Sequence, residues 1–563
     1  MLPLSNSWVR PGVLAAVLAM VTAAGCDPPE AGPRSPGAVQ PDWTLRAERS
    51  GFVETARYDE VVAYLEQASA AHPNLHLTRF GYTNQGREIP LLVVGPVDEP
   101  TPAAVRTASE EGGIPIIYLK GNIHSGEAAG KEALLRLVRE LANDQRPELL
   151  EDLILLIGPV YNADGTEAVD LRNRPRQHGP LGGMGTRTNA QGLDLNRDGM
   201  KLDSPEGRSL ARFMTDFDPH MVVDLHTTNG TRHAYHLTYA PPLHPATPQS
   251  IDSLLRDDLL PTATRNWEER FGWHMWHYGN AFSRDGLTAW WTFDHRPRFV
   301  TNYTGIRNRI GILSEAYSYL TFEDRILASE RFVDEILEWS RIHADRILVV
   351  VARENSRDLR GERLPVRGGF PDEAPTHPIL MGEVAEEVHP WTGETILLRT
   401  DVVEEDPMSA FVAFLGTEDE RVPDAYLVPR QLDTILDRLR THGIELLEGA
   451  PPPGTIQVFD IQARSVSEQA FQGRHEVTLE GAWAEWVEQG DPTPGEPAGS
   501  VDDPGAQASA SGEWIVVPMD QPLARLAFLL LEPRSDDGLT NWGLMDPWLE
   551  GAAHYPVRRI VRE

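Results

Sequence analysis

The 563-residue chain contains a single cysteine, Cys26. That excludes an intrachain disulfide and any four-cysteine structural zinc site. Long apolar runs are also missing. The longest near the start, Val13 to Ala24, holds 12 residues, too few to span a bilayer, and no later stretch is apolar enough to do so. Positive charge is in deficit: 51 Lys and Arg face 84 Asp and Glu, a formal net charge of −33. Such a surface repels phosphate backbones and anionic lipid heads, which argues against nucleic acid as a partner. What remains is an ordinary globular balance, 41% hydrophobic and 24% charged, which excludes a collagen-like or wholly disordered chain. The length predicts two or three domains, each able to bury a sizeable core.

The position of Cys26 carries information. It follows the short apolar run, with Arg10 as the one positive side chain before it, the layout of an export signal. Ala23-Ala24-Gly25-Cys26 resembles a bacterial lipoprotein signal, in which Cys26 would be lipidated; Ala23 stands where Leu is usual. An ordinary secretory signal cleaved nearby is the alternative. Either way the expected location is exported: periplasmic or cell-surface if anchored, otherwise secreted. A lipid on Cys26 would be the sole membrane attachment.

Residues 27–45, rich in Pro, Gly and Ala, read as a tether. Periodicity begins at Tyr58, where Val61, Val62, Tyr64 and Leu65 fit an amphipathic helix. HLTRFGYTNQGREIPLLVVG reads as two strands around a turn. From Ile114 apolar strands alternate with helices: IPIIYLKGNIH, AAGKEALLRLVRELAND, DLILLIGPV, PHMVVDLHTT and RIGILSEAY. This pattern predicts an α/β fold with a mixed, largely parallel sheet flanked by helices over residues 46–355. One long helix, FEDRILASERFVDEILEWSRIHADRILVVVAREN, closes it. Residues 365–563 have shorter apolar runs with more Pro and Gly and read as a β-rich accessory region. Within them 491–512 lack apolar residues and read as a loop.

Three predicted strand ends carry chemistry. His124 and Glu127 follow the first, in GNIHSGE; His226 ends another, in VVDLHTT; Glu315 ends a third, in GILSEAY. In open α/β sheets ligands collect beyond the carboxyl ends of strands. Two imidazoles and a carboxylate suit a zinc ion with a fourth position open to water, and a further carboxylate can take that water's proton. His-x-x-Glu alone is weak, and a single one of 18 histidines is by default structural; the joint placement carries the argument.

From Tyr58 to Tyr319 the chain resembles the zinc carboxypeptidases of the carboxypeptidase A type. GYTNQGREIPLLVVG is similar to the family's entry segment, GNIHSGE to its first zinc motif, PVYNADG to its Asn-Pro-Asp-Gly turn with Ala163 in place of Pro, and GLDLNRD to its Asp-x-Asn-Arg motif. VVDLHTT and GILSEAY complete the series. The resemblance implies one Zn2+ per chain on His124, Glu127 and His226, with Glu315 as general base. It implies that Asp194 orients the first zinc His, and that Asn196 and Arg197 hold a substrate's terminal carboxylate. An Arg that stabilises the oxyanion is expected within Arg172–Arg176, Arg176 first and Arg174 second. Tyr303 is a candidate for the family's mobile Tyr over the substrate, with Arg307 and Arg309 as alternatives for contacting an anionic substrate. Gly126 departs from the digestive members, which have Arg between the first two ligands.

Five of 14 Trp (Trp267, Trp273, Trp276, Trp290, Trp291) lie between His226 and Glu315. They either pack the core behind the site or wall a groove. His233, His236, His274 and His277 leave a second metal group as a minor alternative. The function these features imply is a zinc metallocarboxypeptidase acting on peptide or peptide-like substrates. A zinc amidase for cell-wall peptides or acyl-amino acids is a second reading, and a non-catalytic peptide-binding surface lipoprotein a third.

Overall fold

The computed structural model describes residues 42–228, 230–486 and 514–562. The export signal with Cys26, most of the tether, and the 491–512 loop lie outside the described residues. No described helix is long and apolar enough to cross a membrane.

The first half of the chain builds strands β1 (Leu75–Tyr82), β2 (Glu88–Val94), β3 (Ile116–Gly121), β4 (Ile154–Gly158), β5 (Met221–Thr227), β6 (Leu237–Ala240), β7 (Met275–His277), β8 (Asn280–Arg284), β9 (Leu287–Trp291) and β10 (Ile310–Ala316). Eight of them form one sheet in the order β1-β2-β4-β3-β5-β10-β6-β7. Its centre, β4-β3-β5-β10, is parallel; β1 and β2 join their neighbours antiparallel, β6 joins β10 antiparallel, and β7 joins β6 in parallel. Strands β3, β4 and β5 are buried along their whole length and β10 everywhere but Glu315, as expected of strands covered on both faces. Helices Tyr58–Ala71, Ala129–Ala142 and Phe322–Ile342 pack one face through Leu65, Leu134, Leu137, Phe332 and Ile336. Helix Pro205–Asp216 covers the other through Leu210 and Phe213. The expected closing helix is two, Phe322–Ile342 and Ala344–Asn355, because His343 leaves helical geometry at φ −117°, ψ 29°.

The register of the central strands positions the site. Lys120 pairs with Asp224, Leu313 with Asp224 from the other side, and Glu315 with His226. Side chains alternate along a strand, so Asp224 and His226 share a face and Glu315 emerges beside His226.

The second half adds β11 (Arg363–Gly369), β12 (Thr376–Val388), β13 (Thr395–Phe411), β14 (Leu415–Arg421), β15 (Ala425–Pro429), β16 (Leu447–Glu448), β17 (Thr455–Val466), β18 (Val477–Glu485), β19 (Trp514–Pro518) and β20 (Arg558–Val561). They form a six-stranded sheet, β16-β19-β15-β20-β17-β18, the pair β11-β14, and the sheet β12-β13-β9-β8. β9 comes from the first half, so this last sheet straddles both. Trp290 and Trp291 pair with Ala410 and Phe411 of β13. The core of the second half includes Met200, Tyr303 and Ile306 from the first.

Candidate metal centre and its cavity

The loop after β3 turns sharply, with Asn122 at φ 63°, and the Glu127 amide donates to the His124 carbonyl at 2.8 Å. This tight turn lets both side chains point at one place. Asn162 holds the loop: its Nδ2 donates to the Ile123 and Arg187 carbonyls, and its Oδ1 caps the short helix through Gly165. The Asn-Ala-Asp-Gly turn is therefore a clamp between two segments of the site. Its aspartate, Asp164, accepts from Thr83 and Arg87 of the β1–β2 hairpin.

His124, Glu127 and His226 bring one ligand atom each within 4.8 Å of one another. His124 Nδ1 lies 3.1 Å from Glu127 Oε1 and His226 Nδ1 2.9 Å from Oε2. The opposite ring nitrogens are already engaged. His124 Nε2 meets Asp194 at 2.9 Å, and His226 Nε2 lies 3.1 Å from Asp224. Carboxylates behind both rings orient imidazoles toward a metal, so the donor set fits zinc. Among the described residues this is the group able to hold a metal. His233, His236 and His277 are instead spent on ring contacts with Tyr317, Trp273 and Tyr239.

The electrostatics agree with a cation site. Burial opposes the charge of Glu127, but His124 and Arg174 outweigh it and hold its carboxyl well below the ordinary range. Asp194 is likewise held down by His124 and Arg187 against burial. Burial disfavours protonated His226, yet Asp224 and Glu127 lift it to about 10. Glu315 behaves in the opposite way. Burial first, with the nearby Glu127 adding to it, pushes its carboxyl up to about 8 against the pull of His226, and its buried Oε2 has no hydrogen-bond partner.

These residues border a cavity of about 600 Å³ that also includes Asn196, Arg197, Arg187, Phe299 and Asp294. Asn196 Oδ1 accepts from the Val300 amide at 2.9 Å, which leaves its Nδ2 to the cavity. Arg197 stacks over Phe299, 3.8 Å from the ring centre.

Two expected residues stand elsewhere. Arg176 is exposed at φ 70° and borders a different cavity. Tyr303 is 1% exposed, its hydroxyl 2.7 Å from His442 Nδ1, so the position over the substrate does not belong to it. Arg307 joins the same buried cluster, and Arg309 pairs with Asp218.

Arg174, the second choice, does face the site, but its guanidinium is committed to Glu127 at 2.9 Å and to the Thr227 and Thr228 carbonyls. It also explains Gly126. A Cβ there would meet the Arg174 Cγ at 2.7 Å, so the Arg174 side chain fills the space beside this position.

Sequence reasoning missed Arg187. Its guanidinium bonds Asp194 at 3.0 Å, lies 3.6 Å from Glu127, and is 41% exposed to the cavity. Its place just ahead of GLDLNRD was the available signal. Lys120 and Asp224 were also missed. They form a fully buried pair at 2.6 Å behind His226, and the Asp-x-His spacing on a strand was the clue. None of the five clustered Trp is among the cavity-lining residues. Trp267 packs the main core and Trp290 the straddling sheet.

Part of the chain is similar to known proteins. The zinc carboxypeptidase family model (Peptidase_M14) matches residues 61–257. Carboxypeptidase 2 of Trichophyton rubrum is 24% identical over 200 residues, covering 34% of this chain and 32% of that protein. The chain thus spans about a third of the length of this relative. Carboxypeptidase E of Caenorhabditis elegans is 38% identical over 96 residues, 16% of this chain and 20% of that one. Among solved structures, carboxypeptidase A of Helicoverpa armigera aligns at 16% identity over 54% of this chain and 75% of its own, with a TM-score of 0.37. The matched segment carries all three ligands, so residues 61–257 are similar to the zinc carboxypeptidase family at the metal centre itself.

Proposed function

We propose that the protein is a metallocarboxypeptidase that removes residues from the carboxyl end of peptides, with zinc held by His124, Glu127 and His226. One observation carries the reading: two imidazole Nδ1 atoms and a carboxylate converge while Glu315, on the adjacent parallel strand, stands in register with His226. Zinc on this set would act as a Lewis acid toward a carbonyl and lower the pKa of a water. Glu315 takes the proton of the attacking water and passes it to the departing amine. Arg187 donates to the oxygen that gains charge. Asn196 Nδ2 and Arg197 hold the terminal carboxylate, a planar guanidinium matching it in two hydrogen bonds. Asp194 and Asp224 orient the two histidines. Export of the mature chain, with or without a lipid on Cys26, rests on residues 1–26, and the division into a catalytic part (46–355) and an accessory part (365–563) rests on the change of sequence character.

The test is elemental analysis of the purified protein followed by a peptide library read by mass spectrometry, with and without a chelator. Expected are one zinc per chain and chelator-sensitive loss of single C-terminal residues. Glu315→Gln should keep zinc and lose about 10³-fold or more in turnover. Retained turnover in that variant would sink the assignment of the base.

A further inference from the structure

The accessory part reaches the cavity. The turn between β17 and β18, residues 467–476, brings Phe471 to its lining, and Phe471 is 37% exposed there. The turn is fastened on both sides. Gln472, at φ 50°, accepts from the Asp194 amide at 2.8 Å, two residues from Asn196. Arg474 forms a two-pronged pair with Asp203 at 2.6 and 2.7 Å. Phe471 and Arg474 exchange backbone hydrogen bonds across the turn, and the Phe471 ring rests near Trp542 and over Arg298. With its backbone and back side fixed by these anchors, the Phe471 ring gives the cavity a rigid apolar surface.

The rest of the cavity says what that is. Its cations Arg187 and Arg197, both beside Asp194, sit at the carboxylate end. Its remaining acid, Asp294, is not free: Arg296 donates its amide and its Nε to the two carboxylate oxygens at 3.0 and 2.7 Å, and this pairing outweighs burial to hold Asp294 at about 2. Apart from Glu315, which the proposed mechanism uses, the cavity acids Glu127 and Asp294 are already paired with arginines. The other walls are Phe293, Phe299 and Leu313.

We propose that the 467–476 turn is a working wall of the site and that Phe471 is a specificity-determining residue, contacting an apolar or aromatic side chain at the substrate's carboxyl-terminal residue. The inference rests on the carboxypeptidase reading and names its substrate class.

The experiment compares two peptides identical except for a C-terminal Phe or Ala, using the full chain with zinc. The parent should favour the Phe peptide, and Phe471→Ala should shrink the Phe-to-Ala ratio of kcat/KM by about 10-fold with zinc content unchanged, in line with discrimination by apolar contacts. A purely structural role would lower both rates together and leave the ratio. Should Phe471→Ala not fold, Phe471→Leu decides, with a smaller shift of about 3-fold expected. A trimming parent whose ratio survives the substitution overturns this inference alone. A parent that trims neither peptide overturns the reading beneath it.

Discussion

The buried ion pair behind His226 shows how single residues are tied to the metal centre. Lys120 and Asp224 lie on neighbouring parallel strands in direct register, with side chains 0% and 1% exposed. Burial depresses the Lys120 ammonium, and Asp224 opposes that. Such a pair adds little net stability, but breaking it strands a charge in the core. Lys120→Met should therefore destabilise the fold by about 3–5 kcal/mol. The double variant Lys120→Met with Asp224→Asn should recover most of that loss. Its zinc affinity should stay lower by about 10–100-fold, because His226 would lack the carboxylate behind its ring. Chemical denaturation and chelator competition on the same samples separate the two effects; a double variant with parental zinc affinity would remove Asp224 from the orienting role.

At the scale of elements, helix Val300–Ile306 is gripped from the second half of the chain. Tyr303 donates to His442 Nδ1, His442 Nε2 donates to the Met200 carbonyl at 3.0 Å, and Arg307 donates to the His442 carbonyl and to the Tyr303 hydroxyl. Burial, with Arg307 adding, depresses His442 to about 3, so the folded state holds it neutral. An unfolded histidine titrates near 6.5. Between these values the unfolded chain binds the extra proton, so stability rises with pH there. The contribution is complete above about 6.5 and is lost as pH falls toward 3, on the order of 5 kcal/mol in all. His442→Gln keeps an acceptor and a donor but does not titrate. Calorimetry at pH 7, 5.5 and 4 should show the parent losing melting temperature faster than this variant. Parallel profiles would mean that His442 is not a source of acid sensitivity.

For the whole molecule, the two halves share structure rather than a thin boundary. β9 pairs with β13. Arg298, 1% exposed, is held by Asp537 and Asn541. Phe471 and Gln472 reach the metal-centre cavity. Removing residues 365–563 would uncover Arg298 and Tyr303 with Asp537, Asn541 and His442 gone, and polar groups that lose buried partners cost stability. A chain ended at residue 360 should thus be insoluble or molten, with no zinc-dependent activity. Soluble yield and near-ultraviolet circular dichroism would check this; a well-packed, zinc-binding fragment would establish the first half as independent.

Much of the fold was written locally. Apolar runs such as IIYLKG, ILLIG and MVVDLHT mark the buried parallel strands, because a strand covered on both faces needs apolar residues at nearly every position. The ligands were legible for a related reason. Strand ends meet at one edge of such a sheet, so His124, Glu127, His226 and Glu315 could be grouped by their places at predicted strand ends, and the family resemblance gave them roles. Asp224 and Arg187 were within reach, the first two residues before His226 and the second five before Gly192 of GLDLNRD. Tertiary structure alone decided the rest. Arg174, Arg176 and Arg187 differ in role because of which loop carbonyls and carboxylates surround each guanidinium, and no local pattern encodes that. Tyr303 turned inward because His442, 139 residues away, offers its hydroxyl a buried acceptor. Phe471 has no motif at all. It is a cavity wall because β17 and β18 carry their turn to Asp194, a contact across 278 residues of chain. Strand and helix periodicity is a property of neighbouring residues, whereas the lining of a cavity depends on which distant segments the packed core brings together.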